Sequence, residues 1–274
     1  MRCSSDSGRA SAAIGNRSRS TNTRTALYSR YGFFAGSVRK PPPVSSAPMQ
    51  IAIDGPAASG KTTVARLLAH RMHVPYLDTG SMYRALAYEA SQTHTDPSDG
   101  AALERLAQTR PLSVGLGDGA SDTFVLYAAD GTRFTDAMLQ SRDVTAGVST
   151  VAAQPEVRRL MVEAQRRAAR DRALVMAGRD IGTVVLPNAP VKIFLTASVA
   201  ARVERRRRQL QGSGIAFDAE RLRRDIERRD RLDETRAVSP LEPAPDAHTI
   251  DSSDMTAEQV VDAIVAIAAG AALP

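Results

Sequence analysis

The sequence is poor in cysteine and lacks a long apolar run. Its one cysteine, Cys3, lies in a polar N-terminal segment. An internal disulfide is therefore excluded, and a reducing compartment such as the cytoplasm is expected. No apolar tract reaches the roughly 18 residues that indicate a membrane-spanning helix. The longest stretch, Val260–Pro274, is interrupted by Asp262 and predicts a C-terminal amphipathic helix. We therefore expect no membrane partner.

The main part of the chain also lacks an excess of positive charge. Residues 1–48 hold seven arginines and Lys40 against one acid, Asp6, which accounts for more than the whole net charge of +6. Residues 49–274 carry 28 basic and 29 acidic residues, a net charge of −1. A protein that binds a nucleic-acid backbone needs a basic surface, so we expect no nucleic-acid partner. The run Arg221–Asp230 mixes both signs and predicts a solvated helix face.

The first 48 residues are rich in Ser and Arg and contain Pro41-Pro42-Pro43 near their end. Three interpretations stay open: a disordered tail, a targeting peptide, and an extension produced by a start codon assigned too early. Met49 lies directly before the first predicted strand, which favours the third. We expect the folded domain to comprise residues 49–274 of the 274.

From Met49 onward, short apolar runs alternate with segments of helical periodicity, which predicts a five-stranded parallel sheet flanked by helices. The predicted strands are Gln50–Asp54, Val74–Leu77, Leu174–Ala177, Val191–Thr196 and His248–Ile250. The predicted helices are Lys61–Met72, Ser81–Ser91, Pro155–Asp171, Ala197–Leu210, Asp218–Asp233 and Thr256–Ile267. Residues 111–149 interrupt this alternation and predict a small antiparallel β insertion. Its predicted strands are Leu112–Leu116, Thr123–Ala128 and Thr132–Thr135, with a hairpin turn at Asp130-Gly131.

A phosphate-binding loop follows the first predicted strand. Gly55-Pro56-Ala57-Ala58-Ser59-Gly60-Lys61-Thr62 fits G-x-x-x-x-G-K-[ST], and the strand before it and the helix after it are the context that this pattern requires. Glycines let backbone N–H groups approach a polyphosphate, Lys61 neutralises its oxygens and the Thr62 hydroxyl can ligate Mg²⁺. A structural glycine turn would need neither Lys61 nor Thr62. The predicted ATP-binding residues are Gly55, Pro56, Ala57, Ala58, Ser59, Gly60, Lys61, Thr62 and Thr63.

The loop identifies the donor but leaves the acceptor open. The sequence has no Asn-Lys-x-Asp motif for reading guanine, and its length is small for a mechanical ATPase, so a small-molecule kinase is the leading class. Three alternatives remain. One is a kinase for another acceptor, such as UMP, dTMP or shikimate. The others are a kinase for a cytosine nucleotide, and an ATP-sensing regulator that reaches nucleic acid with its basic tail. The charge of the main body argues against the regulator.

Two further segments follow predicted strands, where the carboxyl ends of a parallel sheet bind ligands. One is Asp78-Thr79-Gly80-Ser81-Met82-Tyr83-Arg84, and the other is Gly178-Arg179-Asp180-Ile181-Gly182-Thr183-Val184-Val185. Asp180 is placed to accept from the amino group of cytosine; the alternative is a capping Asp beside an ion-paired Arg. Arg229, Asp233 and Arg236 are spaced to share one helix face.

Together with Arg236-Ala237-Val238-Ser239-Pro240-Leu241, these motifs resemble those of bacterial-type cytidylate kinases, in order from Met49 to the C-terminus. The resemblance implies a P-loop monophosphate-kinase fold that uses Mg-ATP and CMP or dCMP and acts as a cytoplasmic monomer. It further implies a monophosphate-binding region at about residues 79–149 and a helical lid at about Arg202–Gly214.

The resemblance also implies roles for individual residues. Those expected to hold the acceptor phosphate or its surroundings are Thr79, Tyr83, Arg84 and Arg179. Ser149, Arg158 and Asp180 would read cytosine, and Arg229 and Asp233 would hold the sugar. The residues expected to cover the transferring phosphoryl group are Arg202, Arg205, Arg206 and Arg236. The predicted catalytic set is Lys61, Arg179, Arg202, Arg206 and Arg236.

Two positions depart from the pattern of that family. An acidic residue often precedes Gly-Arg-Asp, where this chain has Ala177. An Ile-Arg-Thr commonly ends the insertion, where this chain has Leu139-Gln140-Ser141-Arg142. A magnesium outer shell that uses the acid must be completed differently in this chain, and no acceptor-site role is transferred to the second stretch.

Overall fold

The computed structural model describes residues 48–117, 123–212 and 217–271. The predicted N-terminal extension, apart from Pro48, and the predicted lid residue Gly214 lie outside these ranges. The strands within them are β1 (Gln50–Asp54), β2 (Tyr76–Asp78), β3 (Ser113–Leu116), β4 (Phe124–Tyr127), β5 (Leu174–Ala177), β6 (Val191–Thr196) and β7 (His248–Asp251).

The main sheet has five parallel strands in the order β2-β5-β1-β6-β7. Helices surround it, which confirms the predicted α/β fold with its P-loop and small antiparallel β insertion. The helices are α1 (Lys61–Met72), α2 (Thr79–Gln92), α3 (Gly100–Thr109), α4 (Asp136–Leu139), α5 (Arg142–Ala153), α6 (Pro155–Ala169), α7 (Val199–Gly212), α8 (Ala219–Thr235) and α9 (Ala257–Ala271). A single π-helical turn, Ile181–Val185, follows β5.

The three central strands, β5, β1 and β6, are buried on both faces, which explains why they read as largely apolar runs. Ile51 and Ile53 of β1 point into a core shared with α1 and α9, whereas Ala52 points into a larger core on the opposite face. All three side chains are fully buried. The C-terminal helix α9 contributes Val260 and Ile264 to the first core, so the predicted amphipathic helix is confirmed.

The parallel register brings four loops to one edge of the sheet. Ile53 of β1 is paired with Ala177 of β5, and Asp54 with Phe194 of β6. Asp78, the last residue of β2, is also paired with Ala177. The segments after β1, β2, β5 and β6 therefore leave the sheet side by side, in the position where open parallel sheets bind ligands.

The predicted insertion is partly correct. β3 and β4 form the antiparallel pair, but the predicted third strand, Thr132–Thr135, is wrong. It makes one isolated bridge, between Arg133 and Tyr127. The hydroxyl of Thr135 instead accepts from Met138 N and caps α4.

The helices α3, α4 and α5 were not predicted. In α5, Val144, Val148 and Val151 are buried at helical spacing. This spacing indicates a helix, but the many β-branched residues of the stretch favoured the prediction of strands. Most of the other predicted boundaries differ from the structure by one to four residues, and two of these differences have a clear local cause. β2 begins only at Tyr76 because Pro75 precedes it, and α2 begins at Thr79 because Asp78 caps it. Within the described ranges no helix is both long enough and apolar enough to cross a membrane.

Candidate active site

The loop between β1 and α1 has the backbone that its glycines permit. Gly55 has φ of +148°, and a Cβ added there would lie 2.0 Å from the carbonyl oxygen of Leu195, so no other residue fits. Gly60 has φ of 97° and directly precedes α1. Ala58 also adopts a positive φ, of 58°. Pro56, Ala57, Ala58 and Ser59 therefore lie on a tight turn at the N-terminus of α1, where backbone N–H groups attract anions.

Lys61 is buried beneath this loop. Its Nζ donates to the carbonyl oxygen of Pro56 at 2.6 Å and to Ser59 Oγ at 3.3 Å. Burial and then the positive charge of Arg179 lower the pKa of Lys61 well below its usual value. Because no carboxylate bonds the ammonium group directly in these contacts, an incoming phosphate would be its natural counterion.

Thr62 meets the loop that follows β2. Its Oγ1 donates to Asp78 Oδ2 at 3.2 Å, while Asp78 Oδ1 accepts from Gly80 N at 3.0 Å. A hydroxyl and a carboxylate lie here side by side, and Mg²⁺ prefers such oxygen ligands together with substrate phosphates. These residues therefore fit the predicted magnesium site. Thr63 is exposed on the next position of α1.

Four arginines from four elements form what we call the arginine cluster: Arg84 of α2, Arg179 after β5, Arg206 of α7 and Arg229 of α8. Burial and then the charge of Arg179 lower the pKa of Arg229 to about 10, with Arg84 and Arg206 contributing in the same direction. Burial also lowers the pKa of Arg84, and Arg206 and Arg179 add to this shift. These four arginines therefore concentrate positive charge that an anion would neutralise.

Hydrogen bonds to neighbouring elements hold two members of the cluster in place. Arg84 Nη1 donates to the carbonyl oxygen of Leu139 at 3.0 Å, and Arg179 Nε donates to Asp233 Oδ2 at 2.7 Å. Asp233 also lies 3.9 Å from Arg236 Nη1. Although Arg236 follows the end of α8, it keeps the proximity to Asp233 that the predicted shared face required.

Asp180 lies in a buried polar pocket next to the cluster. Its Oδ2 accepts from Arg158 Nη2, and its Oδ1 lies 3.9 Å from Arg236 Nη2. The Arg158 guanidinium covers the ring of Tyr83 at 5.5 Å, and burial raises the pKa of Tyr83 to about 12. Among the described residues, Arg158 Nε and Arg236 Nη2 are buried without a hydrogen-bond partner. We call these four residues the acceptor pocket.

The predicted lid arginines of α7 point in different directions. Arg202 Nη1 binds Asp230 Oδ2 at 2.5 Å and the carbonyl oxygen of Ala57 at 3.2 Å. Arg205 donates to the carbonyl oxygen of Ser59 and to Ser252. In this conformation both hold the P-loop backbone, and only Arg206 reaches the arginine cluster; its Nη1 also donates to Gln209 Oε1.

The structure leaves some predicted residues outside these contacts. Ser149 is half-buried in α5, a helix that packs against α8. Thr79 lies under the site, where its Oγ1 donates to the carbonyl oxygen of Ala177 at 3.0 Å. Ala177 is buried and has no carboxylate to offer a metal, whereas Asp78 accepts a hydrogen bond from Thr62 Oγ1. Arg142 is exposed.

Sequence reasoning missed two buried acids. Asp54 ends β1 and accepts from Ile181 N and Gly182 N. Asp230 lies in the run predicted to be solvated, yet it is 7% exposed, so that prediction is wrong for this residue. Ile226, Asp230 and Asp233 are buried at helical spacing, which is the signal that could have revealed the inward face of α8.

Comparisons with known proteins identify the family of this chain. The family model described as cytidylate kinase matches residues 51–269. A cytidylate kinase from Pelotomaculum thermopropionicum is 48% identical over 216 residues, which cover 79% of this chain and 94% of the relative. One from Streptococcus agalactiae serotype Ia is 46% identical over 213 residues, 78% of this chain and 92% of the relative. Among solved structures, shikimate kinase from Acinetobacter baumannii in complex with shikimate covers 84% of this chain and 97% of its own, with 17% identity and a TM-score of 0.40. The family match over most of the described residues, together with two relatives of this similarity, shows that the chain belongs to the cytidylate kinase family.

Proposed function

We propose that this enzyme transfers the γ-phosphoryl group of ATP to CMP and dCMP. An oxygen of the acceptor phosphate forms a bond to the γ-phosphorus, the bond from that phosphorus to the β-phosphate oxygen breaks, and ADP and CDP or dCDP leave. The observation that carries the proposal is the arginine cluster, two members of which, Arg179 and Arg229, are close enough to the P-loop lysine to lower its pKa. A second phosphate would bind there, next to the phosphates of ATP.

On the donor side, the P-loop N–H groups and Lys61 would hold the β- and γ-phosphates. Lys61 Nζ would exchange the carbonyl oxygen of Pro56 for phosphate oxygens, which are charged and therefore stronger acceptors. Thr62 and Asp78 would hold Mg²⁺, which when bound neutralises charge on the phosphates.

On the acceptor side, Arg84 and Arg179 would bind the phosphate of CMP. A phosphate monoester is largely dianionic at neutral pH, because its second pKa is about 6, so its oxygen needs no general base. Catalysis then depends on alignment and on neutralising charge. Arg206 would close over the transferring group from α7. Arg236, predicted from the sequence to cover that group, lies beside Asp180 instead, at 3.9 Å from its Oδ1.

The acceptor pocket complements the edge of cytosine, which offers one amino donor and two acceptors. Asp180 would accept from the amino group. Arg158 Nε and Arg236 Nη2, which are among the buried donors without a hydrogen-bond partner in the described residues, would face the two acceptors. Uracil places a carbonyl oxygen opposite Asp180, so UMP is expected to be a poor substrate. Ser149 remains a predicted contact of the base.

Arg229 and Asp233 would face the sugar. Asp233 is already held by Arg179 Nε at 2.7 Å, so base and phosphate contacts can position the nucleotide without a demand for a 2′-hydroxyl. Acceptance of dCMP follows from this arrangement. The predicted monophosphate-binding and lid regions, the monomeric state and the cytoplasmic location stay predictions.

The test is a panel assay. The full chain is incubated with Mg-ATP, and ADP release is measured with CMP, dCMP, UMP, AMP, GMP, dTMP and shikimate offered separately. Fast turnover with CMP and dCMP is the expected result. Fast turnover with another acceptor would keep the P-loop kinase and remove the assignment of the acceptor pocket. A lack of turnover with every acceptor would overturn the proposal.

A further inference from the structure

We infer that Asp54 is a positioning residue for the acceptor: its carboxylate holds the backbone from which Arg179 and Asp180 project. This inference rests on the proposed function. Asp54 is the last residue of β1 and is 5% exposed. Its Oδ1 accepts from Ile181 N at 2.8 Å, and its Oδ2 accepts from Gly182 N at 2.7 Å. One carboxylate thus binds two successive N–H groups of a segment 127 residues away.

The segment that Asp54 holds is an uncommon piece of backbone. Residues Ile181–Val185 form one π-helical turn, in which Val185 N donates to the carbonyl oxygen of Asp180 and Leu186 N to that of Ile181. Such turns occur frequently at functional sites. The first N–H groups of any helix have no partner within it, and those of Ile181 and Gly182 would be buried without one if Asp54 were absent.

Asp180 occupies the capping position of this turn but does not cap it. Its side chain makes no capping hydrogen bond and instead faces Arg158 and Arg236. Asp54 supplies the cap from the neighbouring strand. Because Asp54 caps the turn, the Asp180 carboxylate can face the acceptor pocket. The alternative raised from the sequence, that Asp180 is a capping residue, is therefore excluded.

We call the two hydrogen bonds from Ile181 N and Gly182 N to the Asp54 carboxylate the clamp. It holds the backbone that directly follows two residues of the candidate site. Arg179 turns toward Asp233 and the arginine cluster, and Asp180 turns into the acceptor pocket. The positions of both side chains depend on the backbone that the clamp fixes at Ile181 and Gly182. A Cβ at Gly182 would be in van der Waals contact with Asp54 Oδ2, at 3.4 Å, and in tighter contact with Lys192 Cδ, at 3.2 Å.

The clamp is costly to the fold, which argues for a functional reason to keep it. Asp54 follows three fully buried apolar residues of β1. Burial raises the pKa of Asp54 to about 6 even though two backbone N–H groups lower it. An uncharged side chain at the end of a buried strand would avoid this desolvation, but it could not hold two N–H groups at once.

The experiment compares Asp54→Asn with wild type in the full chain. The amide keeps one acceptor and turns an NH₂ group toward the other backbone N–H, so one bond of the clamp is lost. We expect KM for CMP to rise roughly tenfold, the scale of leaving one buried donor unsatisfied, while KM for Mg-ATP stays unchanged. The kcat/KM ratio of CMP over UMP should fall as well. A merely structural role would lower stability without this split between the two substrates.

Two further variants keep the inference falsifiable. Gly182→Ala retains the carboxylate but places a methyl group against Asp54 Oδ2. It should raise KM for CMP selectively. This variant decides the question if Asp54→Asn does not fold. Asp262→Asn is the control, because Asp262 forms an exposed ion pair with Arg71 away from these contacts, and it should change neither KM. Unchanged constants in the folded clamp variants, or an equal rise for CMP and ATP, would overturn the inference. If wild type itself does not phosphorylate CMP, the proposed function fails and the inference falls with it.

Discussion

Replacement of Asp180 by Asn tests most directly how the enzyme reads its acceptor. Asp180 is 4% exposed, and its partner Arg158 is 2% exposed, so the carboxylate faces the pocket and its arginine with little water to compete. Asn has the same shape and retains one oxygen for Arg158. The variant therefore removes the negative charge, and it can place an NH₂ group where cytosine also offers one.

The size of the effect follows from the pairing that is lost. A well-placed pairing with a base edge discriminates by roughly 1–3 kcal/mol, and about 1.4 kcal/mol corresponds to a factor of ten. We expect Asp180→Asn to lower the ratio of kcat/KM for CMP over UMP by roughly 5- to 150-fold. Removing one partner of a buried ion pair costs about 3–5 kcal/mol of stability. Because Asn still accepts from Arg158, we expect a loss below that range.

The assay is steady-state ADP release with CMP and with UMP at saturating Mg-ATP, at a temperature where circular dichroism shows the variant to be folded. Asp262→Asn serves as the control, since Asp262 forms an exposed ion pair with Arg71. A folded Asp180→Asn enzyme with an unchanged CMP/UMP ratio would refute the reasoning and remove Asp180 from recognition of the base.

Three further predictions follow from buried charges of the site. Lys61→Met should lower kcat by at least about a hundredfold, the cost of removing one preorganised donor to the transferring group; a rapid-quench assay with near-normal turnover would contradict the role of Lys61. Arg229→Met should raise the melting temperature, because it relieves repulsion from Arg179, yet it should lower kcat/KM for CMP. Calorimetry measures the first change and steady-state kinetics the second; a variant with a lower melting temperature as well as a lower kcat/KM would contradict the prediction. Asp54 has a pKa of about 6 against 3.8 for an ordinary Asp, so the folded state binds its proton more tightly. Asp54 should therefore subtract up to about 3 kcal/mol from the free energy of unfolding as pH rises from about 4 to 6. Denaturant titrations across that range should give free energies of unfolding for wild type and Asp54→Asn that converge at low pH. If the two free energies change in parallel with pH, the contribution assigned to Asp54 is disproved.

The sequence was sufficient for the fold where a local pattern and burial coincide. Gln50–Asp54 and Lys61–Met72 have the predicted bounds, because a buried parallel strand and a P-loop helix each carry a strong local signal. Thr132–Thr135 failed for the opposite reason. Its β-branched residues suit a strand, but Thr135 gains more as the cap of α4, and the tertiary context decides between the two.

The site was predictable residue by residue only where motifs identify it. The motifs place Lys61, Thr62 and Asp180 on the edge of the sheet that the register confirms. The contacts of Asp54 and Asp230 lie 127 and 173 residues away along the chain, and no local pattern announces them. Which arginine of α7 faces the cluster depends likewise on tertiary contacts, since Arg202 and Arg206 differ by one helical turn and bind different partners.

The candidate site is positively charged although the main part of the chain is not, because the carboxylates near its arginines are bound to other groups. The main part of the chain has a net charge of −1, yet its arginines repel one another at the edge of the sheet. The nearby carboxylates are occupied elsewhere: Asp54 by two backbone N–H groups, Asp78 by Gly80 N and Thr62, and Asp230 by Ala57 N and Arg202. Only Asp233 bonds a member of the cluster directly through these contacts. A domain with a net charge of −1 thereby keeps a confined cationic site, which would suit two adjoining phosphates and not the extended backbone of a nucleic acid.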